Sequence, residues 1–441
     1  MSDVIAVAAG SNGNLLLLGC ESGLRVYRLD TSGNPKKLIP ATGGAAAQCG
    51  CTAAGGPVSV ITALGETPLI AFVLGGSAVR ESAGALRVNS DTGVTDASKQ
   101  LTSELYSACT SRVLFLYDAC TFQNIAELHF DTAVVGVRLN SEVLAVVLEV
   151  CVHVFDLRTL KQLAKLRTLS PRNPNGLLVI SDPTTNVRGE AVSYLAYPQS
   201  DDGSGDVWVA QVYGAQMNHS HKDATDTSLP PAFEAHANSN NKGLVESAAI
   251  VRAHLSAVVC LAMTRDGTRL ATASQRGTTV KVFQVPSARL LFVFRRGVAK
   301  ARMHALAFEV GPRSKGLRLA AVSSRGTLHL FRCGDDSETK DIHRGLHWPS
   351  SSLGLGMEVR SFAQATVGRK NSLSGGDCGR RHAELSCFFS DDNRYVWVVA
   401  PPCYSAECNT LDTPREEWHW SLQQYSIHRH GCTFVRSHLL T

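Results

Sequence analysis

Residues 269–284, RLATASQRGTTVKVFQ, and residues 318–332, RLAAVSSRGTLHLFR, are two copies of one pattern. Ser323 follows Ser274, and Thr327 follows Thr278, at the same spacing of 49 positions. Each copy has a short apolar run, a small-residue turn with Gly, and an alternating run that closes on an aromatic. GCESGLRVYRLD at 19–30 repeats the turn and the second run. Runs this short, filled with β-branched and aromatic residues and bounded by turn formers such as Asp266-Gly267, are strands and not helices. VLAVVLE followed by VHVFDL, and RVLFLYD, extend the same texture toward the N-terminus. Several strands per repeat, at a period of roughly 40–50 residues, is the signature of propeller blades. A chain of 441 residues then holds about seven to ten blades, and long loops favour the lower figure. The expected fold class is all-β, one β-propeller over residues 1–441.

Three segments break the rhythm and are expected to be insertions: about 80–105, 214–248 and 332–359. The second contains NHSHKDATDTSLPP and has the composition of a polar surface loop. The third opens acidic and turns apolar with Leu346, Trp348, Leu353, Leu355 and Met357.

Composition excludes several functions. Hydrophobic residues make up 44% and charged residues 18%, the balance of a globular protein. A net charge of +5 is too mild for a dedicated nucleic-acid binder, so no nucleic-acid partner is expected. The apolar run from Val143 to Phe155 is interrupted by Glu149 and is well short of the ~20 residues a membrane helix needs. The N-terminal MSDVIAVAAG lacks the charged start of a signal peptide, so membrane contact is expected to be peripheral. The 13 cysteines sit mostly in strand-like runs and are expected to be buried free thiols of a reducing compartment. Cys49/Cys51 and Cys403/Cys408, with His419, His428 or His430, lack the spacing of a zinc site, so neither metal nor cofactor is expected. No convergent set of carboxylates or ligands marks a catalytic centre, and the chain is expected not to be an enzyme.

The chemistry concentrates in LLFVFRRGVAKARMHALAF, residues 290–308, where Arg295 and Arg296 interrupt an apolar strand just before Gly297. Strand alternation sends the two side chains to opposite faces. Guanidinium groups offer the planar, bidentate donors that phosphate favours. The other reading is that each arginine caps a carboxylate or a backbone carbonyl between blades. The repeats supply hydroxyls on either side: Ser274 and Thr278 before, Ser323 and Thr327 after. Period-two alternation puts Thr327 and His329 on one face. In the earlier repeat Val280 stands where His329 stands, which leaves His254 as the candidate imidazole there. Each hydroxyl alone could equally serve a blade turn.

From His254 to Phe331 the chain resembles the PROPPIN family, the WIPI-type propellers. ATASQRGT (271–278), FRRG (294–297) and SSRGTLHLF (323–331) each correspond to a family motif, as do NPNGLLVIS, YLAYP and the SNGNLLLLGCESGLRVYRLD stretch near the start. Lys281 stands where many relatives have Arg. The resemblance implies a seven-bladed propeller that binds phosphatidylinositol 3-phosphate and phosphatidylinositol 3,5-bisphosphate at two rim sites. One would use His254, Ser274, Thr278 and Arg295, and the other Arg296, Ser323, Thr327 and His329. It further implies a membrane-inserting loop in the sixth blade, a position that 332–359 occupies. The expected role is a cytoplasmic effector recruited to preautophagosomal, endosomal or vacuolar/lysosomal membranes. It would act in autophagosome formation or endolysosomal membrane dynamics with autophagy-related proteins as partners. The alternative is a protein-interaction propeller without lipid binding.

Overall fold

The computed structural model describes residues 4–10, 13–29, 34–39, 56–75, 111–121, 123–168, 173, 176–186, 188–198, 204–213, 244–310, 317–334, 358–367, 384–402 and 419–440. Among these, every regular element is a strand, and the strands form seven mainly antiparallel sheets in chain order. Seven sequential blades of four or five strands are the make-up of a seven-bladed β-propeller, as the repeat length implies.

The chain divides into two compact units. One spans 1–165 with 172–176 and holds the first three sheets, bar the last two residues of strand Gln162–Arg167. The other spans 166–171 and 177–441 and holds the last four.

Within a sheet, burial decides the sequence pattern. Leu15–Cys20 and Val143–Leu148 are buried at every position, because packing covers both faces. They therefore read as continuous apolar runs. Gln123–His129, the last strand of the second sheet, alternates exposed and half-buried positions as an edge strand should. Packing between sheets is aromatic and aliphatic. Phe294 of the fifth sheet stacks on Phe331 of the sixth with centroids 4.7 Å apart, in a cluster that includes Ala271, Val280, Leu319 and Ala321.

Two boundaries differ from the sequence expectation. Strand Val245–His254 begins inside the segment 214–248, and its first residues pair with Gly205–Tyr213: Val245 lies opposite Val212, and Ser247 opposite Ala210. Residues 245–248 are thus sheet and not loop. The segment 332–359 likewise has sheet at both ends, Arg332 closing strand Thr327–Arg332 and Glu358 opening Glu358–Arg360. The latter pairs in parallel with Leu290–Arg295, so the fifth sheet gains an outer strand from a later part of the chain. The 80–105 segment lies outside the described residues.

Cys151, Cys260, Cys333 and Cys387 are buried free thiols, as expected; Cys20 is buried as well, while Cys120 is exposed. No helix among the described residues is long and apolar enough to cross a membrane.

Candidate functional site

Strand Leu290–Arg295 is the fourth strand of the fifth sheet, and the arginine pair stands at its end. Arg295 lies opposite Thr279 on one side and, through the parallel outer strand, beside Arg360 on the other. At Arg296 the backbone still follows the sheet, its N–H donating to the Thr278 carbonyl at 2.9 Å. Its side chain turns inward and is only 8% exposed. There Nε donates to the Gly277 carbonyl at 2.5 Å, and the guanidinium also donates to the Ala299 carbonyl.

Carbonyl capping, one of the two readings open for the pair, is therefore realised at Arg296. It takes two of five N–H donors and neutralises none of the charge. No carboxylate pairs with Arg296 among the described residues. Burial, and then the nearby Arg325, lowers its pKa from the usual guanidinium value. Gly277 makes the clamp possible: its φ is +58°, and a Cβ there would fall 1.8 Å from the Ala301 carbonyl oxygen.

The sixth sheet carries a chain of side-chain hydrogen bonds. Ser323 Oγ and Thr327 Oγ1 are 3.2 Å apart, and Thr327 Oγ1 is 3.1 Å from His329 Nε2. His329 Nδ1 then meets Ser361 Oγ at 3.3 Å, which accepts from Gln364 Nε2 at 2.9 Å. Alternation along Thr327–Arg332 produces the Thr327–His329 pair, as the sequence implies. Phe331, next on that face, stacks with the imidazole at 6.2 Å between centroids. Burial first, and the charge of Arg296 second, push His329 down to about 4. At neutral pH it is an uncharged imidazole, free to donate from one nitrogen and accept at the other.

The other predicted set is less closely knit. His254 ends the last strand of the fourth sheet and bonds Thr272 Oγ1 through Nε2 at 2.9 Å, a partner outside the predicted residues. Thr272 lies opposite Lys281 in the fifth sheet, and Lys281 Nζ donates to the Ala253 carbonyl at 2.7 Å. Burial, and then the Lys281 charge, push His254 down to about 4. Ser274 is buried at the end of strand Arg269–Ser274, where its carbonyl accepts from Gly277 N–H at 2.9 Å. Ser323 and Gly326 repeat that turn at 2.9 Å in the sixth sheet. Thr278 joins the arginine segment through its backbone carbonyl. The structure thus gathers Ser323, Thr327 and His329 directly, and the Arg296 charge reaches His329. His254, Ser274, Thr278 and Arg295 are arranged around the strand ends through backbone contacts and through Thr272.

Thr272, Lys281, Arg325, Ser361 and Gln364 belong to this region without having been singled out as site residues. Thr272 could have been found as the same-face neighbour of Ser274, two positions before it. Ser361 and Gln364 carried no signal, because their placement depends on where the chain re-enters the sheet after 357.

The predicted insertion residues Leu346, Trp348, Leu353, Leu355 and Met357 lie outside the described residues, as do Cys49, Cys51, Cys403 and Cys408. That segment follows Thr327–Arg332, the third strand of the sixth sheet, and leads into Glu358–Arg360, the outer strand of the fifth, after which Ala363–Thr366 completes the sixth. Among the described residues no cluster of His, Cys, Asp and Glu is placed to hold a metal ion.

A family model described as PROPPIN matches residues 236–344, a span that includes all eight residues of the two predicted sets. Autophagy-related protein 18 of Ajellomyces capsulatus is 31% identical over 267 residues, covering 57% of each protein. Its counterpart in Dictyostelium discoideum is 30% identical over 243 residues, covering 55% of this chain and 53% of the relative. The chain thus spans little more than half the length of these curated relatives. Among solved structures, Kluyveromyces lactis Hsv2 with a complete loop 6CD aligns with a TM-score of 0.59 at 15% identity, covering 99% of both chains. A complex of KlAtg21 with the coiled-coil of AgAtg16 gives 0.58 at 15%, covering all of both. At that identity the likeness concerns the fold alone, and the fold is the seven-bladed propeller.

Proposed function

The chain belongs to the PROPPIN family, and from that premise we propose that it is a peripheral, phosphoinositide-binding effector of autophagy. Its ligands are phosphatidylinositol 3-phosphate and phosphatidylinositol 3,5-bisphosphate, held at the two predicted sets of residues. One observation carries this reading: Arg296 is buried with carbonyl partners and no carboxylate among the described residues, and its charge acts on His329 of the Ser323–Thr327–His329 chain. A buried cation ordinarily has a counter-charge, since desolvation without one is costly. A phosphate monoester would supply that charge, accept the remaining guanidinium N–H groups, and take hydrogen bonds from the hydroxyls.

On the surface of a vesicle two weak headgroup sites act together, so binding gains from multivalency more than from either site alone. Trp348 and its aliphatic neighbours in the loop before Glu358 add apolar insertion of the kind interfacial side chains provide. The protein works from the cytoplasm on preautophagosomal, endosomal or vacuolar/lysosomal membranes, in autophagosome formation or endolysosomal dynamics. It recruits other autophagy-related proteins there and catalyses nothing itself. The KlAtg21 complex motivates the partner class, a coiled-coil protein of the same process.

Flotation with liposomes tests the reading. Arg295→Thr combined with Arg296→Thr should lower binding to phosphatidylinositol 3-phosphate liposomes by ~10²-fold, since charged hydrogen bonds contribute roughly 1.5–3 kcal/mol each. Either single change should leave partial binding. Wild-type flotation by a folded double variant would refute the assignment.

A further inference from the structure

Leu255 and Val298 are the two most exposed large hydrophobic side chains among the described residues, at 94% and 78%. They occupy equivalent places. Leu255 is in the connector from the last strand of the fourth sheet to the first of the fifth, and Val298 in the connector from the fifth to the sixth. Leu255 adjoins His254, and Val298 is two residues from Arg296.

Hydrogen bonds join these connectors to the neighbouring hairpins in one strip. Gln275 N–H donates to the Ala257 carbonyl at 2.8 Å, Arg296 Nε reaches Gly277, and Ser324 N–H donates to the Arg302 carbonyl at 2.8 Å. The four turns, 255–257, 275–277, 296–302 and 324–326, contain five basic residues and no Asp or Glu. Arg276, Lys300, Arg302 and Arg325 are exposed on it. Arg302 is met by Glu384, two residues before the seventh sheet begins, a surface pair that leaves the strip's excess positive.

We propose that this strip is a bilayer-contact surface in its own right, with Leu255 and Val298 as two apolar tips that enter the boundary between headgroups and acyl chains while Arg276, Lys300 and Arg325 meet anionic lipid. The proposal rests on the membrane reading above, and extends it to residues outside the headgroup pockets and the loop at 332–359. Isolated apolar side chains raised among cations suit a lipid interface, which accepts each tip separately. A protein partner would need about 800 Å² a side with a packed apolar centre, and two tips on separate turns provide no such centre. Cations outside the pockets also give attraction to any anionic bilayer, weakening as salt rises.

The test uses the full chain with three probes: phosphatidylcholine vesicles containing phosphatidylserine only, the same vesicles with added phosphatidylinositol 3-phosphate, and the soluble inositol 1,3-bisphosphate headgroup. Leu255→Asp combined with Val298→Asp should weaken binding to both vesicle types at least ~tenfold, because both tips lose their apolar burial. Its affinity for the soluble headgroup should stay within about twofold of wild type. Both positions are exposed, so the variant should fold, and its melting curve verifies that. Unchanged vesicle binding overturns the proposal, as does a parallel loss of soluble-headgroup binding, or a wild type that binds neither vesicle. If wild type binds phosphatidylserine vesicles through the tips but shows no preference for phosphatidylinositol 3-phosphate, the strip stands and the headgroup function falls. Capture of a protein by wild type and by the Asp variant alike, with no difference between them on vesicles, would also overturn it.

Discussion

Replacing His329 with Gln should remove a specific sensitivity to acid. In the folded protein burial and Arg296 hold His329 at about 4, against 6.5 for an unperturbed imidazole. The sign follows directly. Above pH 6.5 the imidazole is neutral both folded and unfolded, and costs nothing. As pH falls below 6.5 the unfolded chain takes up a proton that the folded protein refuses, so stability declines until the pH passes the folded value near 4. With those two values, one histidine accounts for roughly 1 kcal/mol lost between pH 7 and pH 5.5, and roughly 2 kcal/mol by pH 4.5. A Gln can still hydrogen-bond Thr327 and does not titrate. Urea unfolding of wild type and His329→Gln at pH 7, 5.5 and 4.5 reads the difference, and His254 cancels because both proteins carry it. Wild type should lose more than the variant by those amounts. A bound phosphate would draw the His329 pKa back up, so adding soluble inositol 1,3-bisphosphate should shrink the wild-type loss. Parallel pH profiles for the two proteins would refute the burial argument and the placing of Arg296 against this imidazole.

Gly277→Ala should destabilise by roughly 2 kcal/mol or more, because φ is +58° and the new Cβ would lie 1.8 Å from the Ala301 carbonyl oxygen; a melting temperature within a degree of wild type would contradict this. The same change should weaken phosphatidylinositol 3-phosphate liposome binding by displacing the Arg296 clamp, read by flotation at a temperature where the variant is folded. Trp348→Asp with Leu353→Asp should weaken liposome binding about tenfold or more while soluble-headgroup affinity holds; equal losses in the two assays would mean that the loop supports the pocket instead of entering the bilayer.

What the sequence made legible was what depends on local period. The 49-residue echo between RLATASQRGT and RLAAVSSRGT maps onto strands Arg269–Ser274 and Arg318–Ser323 with the same hairpin bond after each. Alternation in TLHLF placed Thr327 and His329 together, and the structure bonds them. Edge strands were harder to see. VESAA at the start of Val245–His254 is half exposed and only weakly patterned, so it merged with the polar segment before it. The first strand of the fourth sheet is split into Val179–Ile180 and Thr184–Thr185, each too short to show a period. Pairing between distant segments left no trace either. Nothing local in Glu358–Arg360 shows that it adds in parallel beside Leu290–Arg295 and puts Arg360 next to Arg295. The His254–Thr272 bond joins two sheets and has the same difficulty.

The end of strand Leu290–Arg295 explains why two adjacent arginines can do different work. Arg296 is fixed before any ligand arrives: two carbonyls hold its guanidinium, Gly277 leaves room for it, and the hydroxyl–imidazole chain opposite is already hydrogen-bonded end to end. Little side-chain entropy remains to be lost there on binding an anion, which is the advantage of a preorganised site. The set around Arg295 differs. Its imidazole is engaged with Thr272, its Lys281 is engaged with the Ala253 carbonyl, and Arg295 shares an edge with Arg360. Under the proposed function an anion entering there would compete with bonds already made, but Lys281, Arg295 and Arg360 would offer it positive charge, and like charges side by side on paired strands disfavour each other until a counter-charge separates them. Under the function proposed above, the two sets would divide the task between them: the Arg296 set would favour a tight fit to one phosphate, and the Arg295 set would favour charge. A headgroup with two phosphates should gain more at the Arg295 set than at the Arg296 set. Comparing phosphatidylinositol 3-phosphate with phosphatidylinositol 3,5-bisphosphate on Arg295→Thr and Arg296→Thr separately would expose that asymmetry, and equal preferences in the two single variants would remove it.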